Sequence, residues 1–218
     1  MYFKERGENM AQRYKYPRTF HFPFSEGATD DDKILDSTDH FKGKRVVVTE
    51  KMDGENTTIY NDHCHARSID SKHKGYHSWL LSQIPTFQHQ IPEGWRICGE
   101  YLFAKHSIGY DDLPSYFMVF SIWDETNRCL AWGDMVDICK ELGLEVVPTL
   151  YEGVYDEELI KKIAKETVLR GGEGIVVRLS DGFHYDDFSK SIAKFVRKNH
   201  IQTDSSWGSG EVEKNKLK

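Results

Sequence analysis

Lys51 lies in the run Thr49-Glu50-Lys51-Met52-Asp53-Gly54-Glu55-Asn56, flanked by three acids, and two chemistries fit a lysine in that company. As a plain cation it would pair with Glu50, Asp53 or Glu55 at the surface, an interaction worth ~0–1 kcal/mol. As a nucleophile it must first lose its proton. A free lysine of pKa about 10.4 has roughly one amine in a few thousand uncharged at pH 7, so it stands ~4–5 kcal/mol from readiness. Three carboxylates would raise that pKa further. A nucleophilic Lys51 therefore needs positive charge from elsewhere, from basic side chains or a divalent metal. Residues 190–200 offer it: Lys190, Lys194, Arg197 and Lys198 occur there without an acid.

The elements that would position these groups can be read from periodicity. Arg45–Val48 and Thr57–Tyr60 are β-branched runs on either side of Asp53-Gly54, a strong turn signal, so residues 45–60 read as a hairpin with Gly54 at positive φ. His63–Asp70 continues the sheet by alternation, and 75–83 has helical spacing. Trp95–Phe103 is a strand interrupted by Glu100, a carboxylate that is costly there unless hydrogen-bonded; it either faces solvent or grips a ribose hydroxyl. Tyr116–Trp123 is nearly all apolar and reads as a central, doubly covered strand. Helices follow at 132–142, ended by Gly143, and at 156–170, capped by Asp156 and ended by Gly171-Gly172. Strands at 173–179 and 191–198 complete the set.

Toward the termini, residues 1–16 read as a short helix or loose arm. Tyr16–Gly27, with two prolines and alternating aromatics, reads as a strap laid over the domain. Arg18 and His21 in it could reach a phosphate, but packing is the plainer account. Beyond Gln202 the chain turns polar and is expected to fray. The domain division expected is 1–44 for arm and strap, 45–203 for the domain proper and 204–218 for the tail.

Composition narrows the class. The 218 residues suffice for one well-buried domain, and 39% hydrophobic with 13% aromatic content is that of an ordinary globular protein. No run of about 18 apolar residues occurs, so no membrane span is expected, and the first residues lack the apolar core of a signal peptide, which points to a cytoplasmic location. Cys64, Cys98, Cys129 and Cys139 form no Cys-x-x-Cys pair and read as buried free thiols. His63, His65, His73 and His77 lack a matching ligand spacing, so no metal site is expected from them. A net charge of −6 argues against a broad nucleic-acid-binding surface, though not against a narrow basic groove. The acid-rich run 26–39 reads as a solvated face.

Taken in order, the motifs resemble those of the covalent nucleotidyl transferases. Lys51-Met52-Asp53-Gly54 resembles motif I, Arg67-Ser68 motif Ia, Gly99-Glu100-Tyr101 motif III and Phe117–Phe120 motif IIIa. Glu173–Arg178 resembles motif IV and Ala193-Lys194-Phe195 motif V. Within that superfamily, Asn56, the segment Pro17–His21 and the run Val196–Thr203 are most similar to the ATP-dependent RNA ligases. The resemblance implies an α+β nucleotidyltransferase domain, mostly antiparallel sheets with flanking helices around a nucleotide cleft.

It implies roles as well. Lys51 would take AMP from ATP, Glu100 would hold the ribose, Phe120 would stack on adenine and the Glu50 backbone would read the adenine edge. Asn56 would join the nucleotide site, and Arg67 would contact phosphate or the RNA terminus. Glu173, with Asp53, would hold a hydrated magnesium, and Lys194 would hold the α-phosphate. The implied substrate is RNA with 5′-phosphate and 3′-hydroxyl ends. A DNA ligase, a GTP-using capping enzyme or a non-catalytic RNA-end-binding module are the alternatives. Where RNA ligases often place a second motif V lysine stands Val196, followed by Arg197 and Lys198. The further domain common in relatives is expected to be absent, so a partner protein could be needed to position the RNA.

Overall fold

The computed structural model describes residues 12–198 and 212–218. In chain order it contains β1 (Phe20–His21), β2 (Arg45–Glu50), β3 (Glu55–Ile59), β4 (Cys64–Ala66), α1 (Ser78–Phe87), β5 (Arg96–Tyr101), β6 (Phe117–Trp123) and β7 (Arg128–Cys129). Then come α2 (Trp132–Leu142), β8 (Glu145–Val146), β9 (Thr149–Val154), α3 (Glu157–Leu169), β10 (Gly174–Leu179), β11 (Phe183–His184), α4 (Phe188–Ser191) and β12 (Ile192–Val196). Two sheets result. One runs β1-β12-β10-β2-β9; the other runs β11-β7-β6-β5-β3-β4, with β8 also on β6. Apart from β1 on β12 and β8 on β6, every pairing is antiparallel. This is the α+β class expected. Among the described residues no helix is long and apolar enough to cross a membrane.

The expected hairpin at 45–60 is not there. β2 pairs with β10 and β9, and β3 pairs with β4 and β5, so the Lys51–Gly54 segment passes from one sheet to the other. The reason lies in β2 itself. Val47 packs into the core beneath the second sheet, while Val46 and Val48 pack with Ile160 and Ala164 of α3 and with Phe22 of the strap. With both faces covered and both edges taken by β9 and β10, β2 has no free edge for a hairpin partner.

Gly54 is required for a different reason from the one its turn signal suggested. It is not at positive φ. Instead, a Cβ there would lie 2.5 Å from the Tyr101 carbonyl oxygen and 2.8 Å from Leu102 Cδ2. Gly54→Ala is therefore expected to destabilise the protein by ~1–3 kcal/mol through overpacking, read as a lower urea midpoint with an unchanged m-value.

Two helices, α2 and α3, follow the reading closely, whereas α1 runs later than the 75–83 expected and α4 was not foreseen. Asp156 caps α3 by accepting the Leu159 N–H at 3.0 Å, and Gly143 ends α2 at φ 67°. Within the 16–27 strap, β1 adds a strand to the first sheet, and Phe22 and Phe24 stack at 4.8 Å. Residues 1–11 of the expected arm lie outside the described residues, as do 199–211.

The fraying expected after Gln202 does not hold for 212–218. Asn215 is buried, its Nδ2 donates to Leu102 O at 2.7 Å and its Oδ1 accepts the Tyr110 N–H at 2.9 Å. Isolated bridges join Lys214 to Ala104 and Leu217 to Leu113. Polarity of the segment as a whole concealed one asparagine whose hydrogen bonds are met by the β5–β6 connection.

Candidate active site

A cavity of about 500 Å³ opens between the sheets, lined by Lys51, Glu100, Phe120, Glu173 and Lys194 among others. Each sheet contributes a row. Across the first, strand register aligns His21, Lys194, Val176 and Thr49, and the last three of these line the cavity. Across the second, Asn56 lies opposite Glu100. Phe120 owes its place to a bulge: Cys98 pairs with Ser121 and Gly99 with Val119, leaving Phe120 as the extra residue of β6. Bulges re-aim side chains, and this one turns an aromatic face of a buried strand into the cavity.

Lys51 sits where the sheets meet. Its N–H donates to Gly174 O at 3.0 Å, and its Nζ lies 2.7 Å from Glu173 Oε2. The lysine side chain is 24% exposed and that of Glu173 is fully buried. Burial pushes the amine's pKa down, but Glu173, Glu100 and Asp53 push it up harder, so it rises. The expectation that neighbouring cations hold Lys51 neutral is thus not met in the free protein. The carboxylates win because Glu173 is in direct contact.

The cation that the argument required is nevertheless at hand. Lys194 shares the cavity, and burial, followed by repulsion from Lys51, brings its pKa down to about 8. His21, its strand partner, is brought down to about 4 by burial and then by Lys194, so it is neutral near pH 7.

Glu100 neither faces solvent nor stands alone. Its Oε1 accepts the Gly54 N–H at 3.1 Å. Burial, reinforced by Glu173 and Asp53 and opposed by Lys51, raises its pKa to about 8. A carboxyl group with a raised folded-state pKa loses stability as pH rises from its ordinary value toward the raised one, because the unfolded chain ionises first. Wild-type stability should therefore fall relative to Glu100→Gln between pH 4.5 and about 8, as checked by melting temperatures of both proteins across that range. Parallel curves would count against the shift.

The remaining expected residues divide. Asn56 and Arg67 line the cavity with Ser68 and Lys74, and Asn56 Oδ1 has no hydrogen-bond partner among the described residues. The Glu50 N–H donates to Pro148 O at 2.9 Å, so any reading by that main chain falls to its carbonyl. Asp53, expected beside Glu173 at a metal, also lines the cavity, with one of its carboxylate oxygens already engaged. Its Oδ2 accepts from Ser107 N at 2.8 Å, Ser107 Oγ at 2.7 Å and Ile108 N at 2.8 Å, which commits that oxygen to anchoring a loop. Among the described residues no group of three or more His, Cys, Asp and Glu is arranged to hold a metal.

Several residues at the site escaped the sequence reading. The Asp32 side chain is 2% exposed, with Oδ1 3.4 Å from His21 Nε2; it was concealed in an acidic run otherwise suited to solvent. Tyr16 meets Phe120 edge-on at 5.1 Å, and Tyr110 Oη accepts the Asp53 N–H at 2.8 Å. Tyr16 at least had a signal, its place among the strap aromatics; Tyr110 had none.

Solved structures share this architecture at low identity. An archaeal ATP-dependent RNA ligase superposes with a TM-score of 0.60 at 18% identity, covering 83% of this chain and 48% of its own. A lysine mutant of the Naegleria gruberi RNA ligase with ATP and Mn gives 0.58 at 18%, covering 83% and 57%. A putative ATP-dependent DNA ligase from Aquifex aeolicus gives 0.58 at 19%, covering 84% and 50%. The chain thus spans about half the length of these neighbours, and such likeness speaks for the fold. No curated protein is matched. The RNA ligase family model matches residues 44–196, a span that runs from β2 through β12 and takes in Lys51, Glu100, Phe120, Glu173 and Lys194. On that match, the chain belongs to the RNA ligase family.

Proposed function

We propose that this chain is an ATP-dependent RNA ligase that captures AMP on Lys51, passes it to an RNA 5′-phosphate and seals that end to a 3′-hydroxyl. The observation that carries the reading is the convergence of Lys51, Glu173, Lys194 and Glu100 on one cavity with an aromatic wall. A nucleotide pocket needs an apolar face and a few convergent polar groups. Phe120 offers the face to adenine. Glu100, protonated near neutrality with its pKa at about 8, offers a carboxyl group to the ribose.

In the first step Lys51 Nζ bonds to the α-phosphorus as the bond to pyrophosphate breaks. The charged lysine gives up two protons on the way to the phosphoramidate: the first passes to Glu173 Oε2, the acceptor it already contacts at 2.7 Å, and the second, released once the N–P bond has formed, passes to solvent. Lys194 stays charged below about 8 and offsets the negative charge that builds on the α-phosphate. AMP then moves from Lys51 to the RNA 5′-phosphate oxygen, and the 3′-hydroxyl displaces AMP to form the phosphodiester. The donor set fits an ion that keeps several waters and shares the substrate's phosphates, since Glu173 and Asp53 are buried carboxylates facing the cleft and no protein cage exists there among the described residues. Magnesium would supply positive charge to the triphosphate.

The test is mass spectrometry of the protein after incubation with ATP or GTP, followed by sealing assays on RNA and DNA ends. An AMP adduct with RNA sealing is expected. A GMP adduct would indicate a capping enzyme, and no adduct with either nucleotide would leave an RNA-end-binding module.

A further inference from the structure

The Lys51 turn is braced from a part of the chain remote in sequence. Asp53 Oδ2 takes three hydrogen bonds from Ser107 and Ile108, and the Asp53 N–H goes to Tyr110 Oη at 2.8 Å. Four hydrogen bonds therefore tie the turn that carries Lys51 to the 107–110 loop. That loop belongs to the long β5–β6 connection and would have few fixed partners by itself.

Residues 213–218 supply them. Lys105 N–H donates to Glu213 O at 2.8 Å, Asn215 N–H to Phe103 O at 3.0 Å, Lys216 N–H to Tyr110 O at 2.9 Å and Leu113 N–H to Lys216 O at 3.0 Å. Asn215 is the centre of this ladder. Its amide holds Leu102 O and the Tyr110 N–H, and its carbonyl accepts the Tyr116 hydroxyl at 2.9 Å. Tyr110 is thus gripped at both main-chain groups by 215–216 while its hydroxyl holds Asp53.

We propose that Asn215 and Tyr110 are positioning residues for Lys51: the 212–218 segment fixes the loop, and the loop fixes the turn. This rests on the reading of Lys51 as the nucleophile. Neither residue lines the cavity, so their loss should slow capture without weakening nucleotide binding. Misplacing a reacting group by about 1 Å can cost on the order of 10²-fold in rate.

The experiment compares wild type, Asn215→Ala and Tyr110→Phe in single-turnover labelling by α-labelled ATP, with amide hydrogen exchange followed at Ser107 and Ile108. Tyr110→Phe keeps the ring and deletes only the acceptor for the Asp53 N–H, so it serves if Asn215→Ala folds poorly. In both variants the maximal labelling rate should drop about 10–100-fold, with the ATP concentration for half-maximal rate within about twofold of wild type and exchange at both amides faster. A lowered melting temperature with the labelling rate unchanged would reduce the brace to a stability element and overturn the proposal. Should wild type itself take no label, the functional reading falls separately, and unaltered exchange at Ser107 and Ile108 in Asn215→Ala would still refute the brace.

Discussion

Lys51→Ala should take no label from α-labelled ATP, and Lys51→Arg should fail equally. Alanine removes the proposed attacking nitrogen. Arginine keeps a cation that could face Glu173 but cannot be deprotonated in a protein, so the pair separates a charge role from a nucleophilic one. Persistent label on either variant would refute the assignment. The pH dependence follows from the same geometry. Glu173, Glu100 and Asp53 outweigh burial and raise the Lys51 pKa, so at saturating ATP the labelling rate should increase with pH as the amine is released. At limiting ATP the profile reports the free protein. There Lys194 must still be charged, and with its pKa at about 8 the rise should level off above that value, because each gain in free Lys51 amine is matched by a loss of Lys194 charge.

The second large effect is expected at Lys194. Lys194→Ala removes the side chain proposed to meet charge on the α-phosphate, and loss of one such preorganised group typically costs about 10²–10³-fold in rate. The variant carries its own control. His21 is held down to about 4 by burial first and by Lys194 second, so removing the lysine should move the His21 pKa upward in an NMR titration. A large loss of labelling with a raised His21 pKa would locate the effect in this corner of the cavity. Labelling within tenfold of wild type would remove Lys194 from the first step.

Sequence reading located the apolar strands, passed over β7, β8, β9 and β11, and misjudged the partner of β2, and these outcomes have different physical sources. Alternation and β-branching are local, so β5, β6, β10 and β12 could be read where they stand. Pairing is not local. Asp53-Gly54 gave a sound turn signal, yet Val46, Val47 and Val48 bury into two different cores, and that forces the chain across to the other sheet. The same limit explains the site. Glu100 stood out as a charge in an apolar strand, Lys51 as a lysine among acids at a strand end and Lys194 by its acid-free basic run, while Glu173 was named by the motif resemblance alone. Phe120 was legible by resemblance alone, since only the register break at Gly99 shows how its ring reaches the cavity. The tether of Asp53 Oδ2 was not legible, because its partners lie more than fifty residues away in the 107–108 loop.

The division of the cavity between two sheets has a mechanical consequence. The groups suited to base and sugar, Phe120 and Glu100, belong to β6 and β5, while Lys194 belongs to β12 and Glu173 adjoins β10. A nucleotide gripping all four would act as a splint across the seam. Parting the layers would then require letting go of one end of it, and its concentration would set how firmly the halves stay clasped.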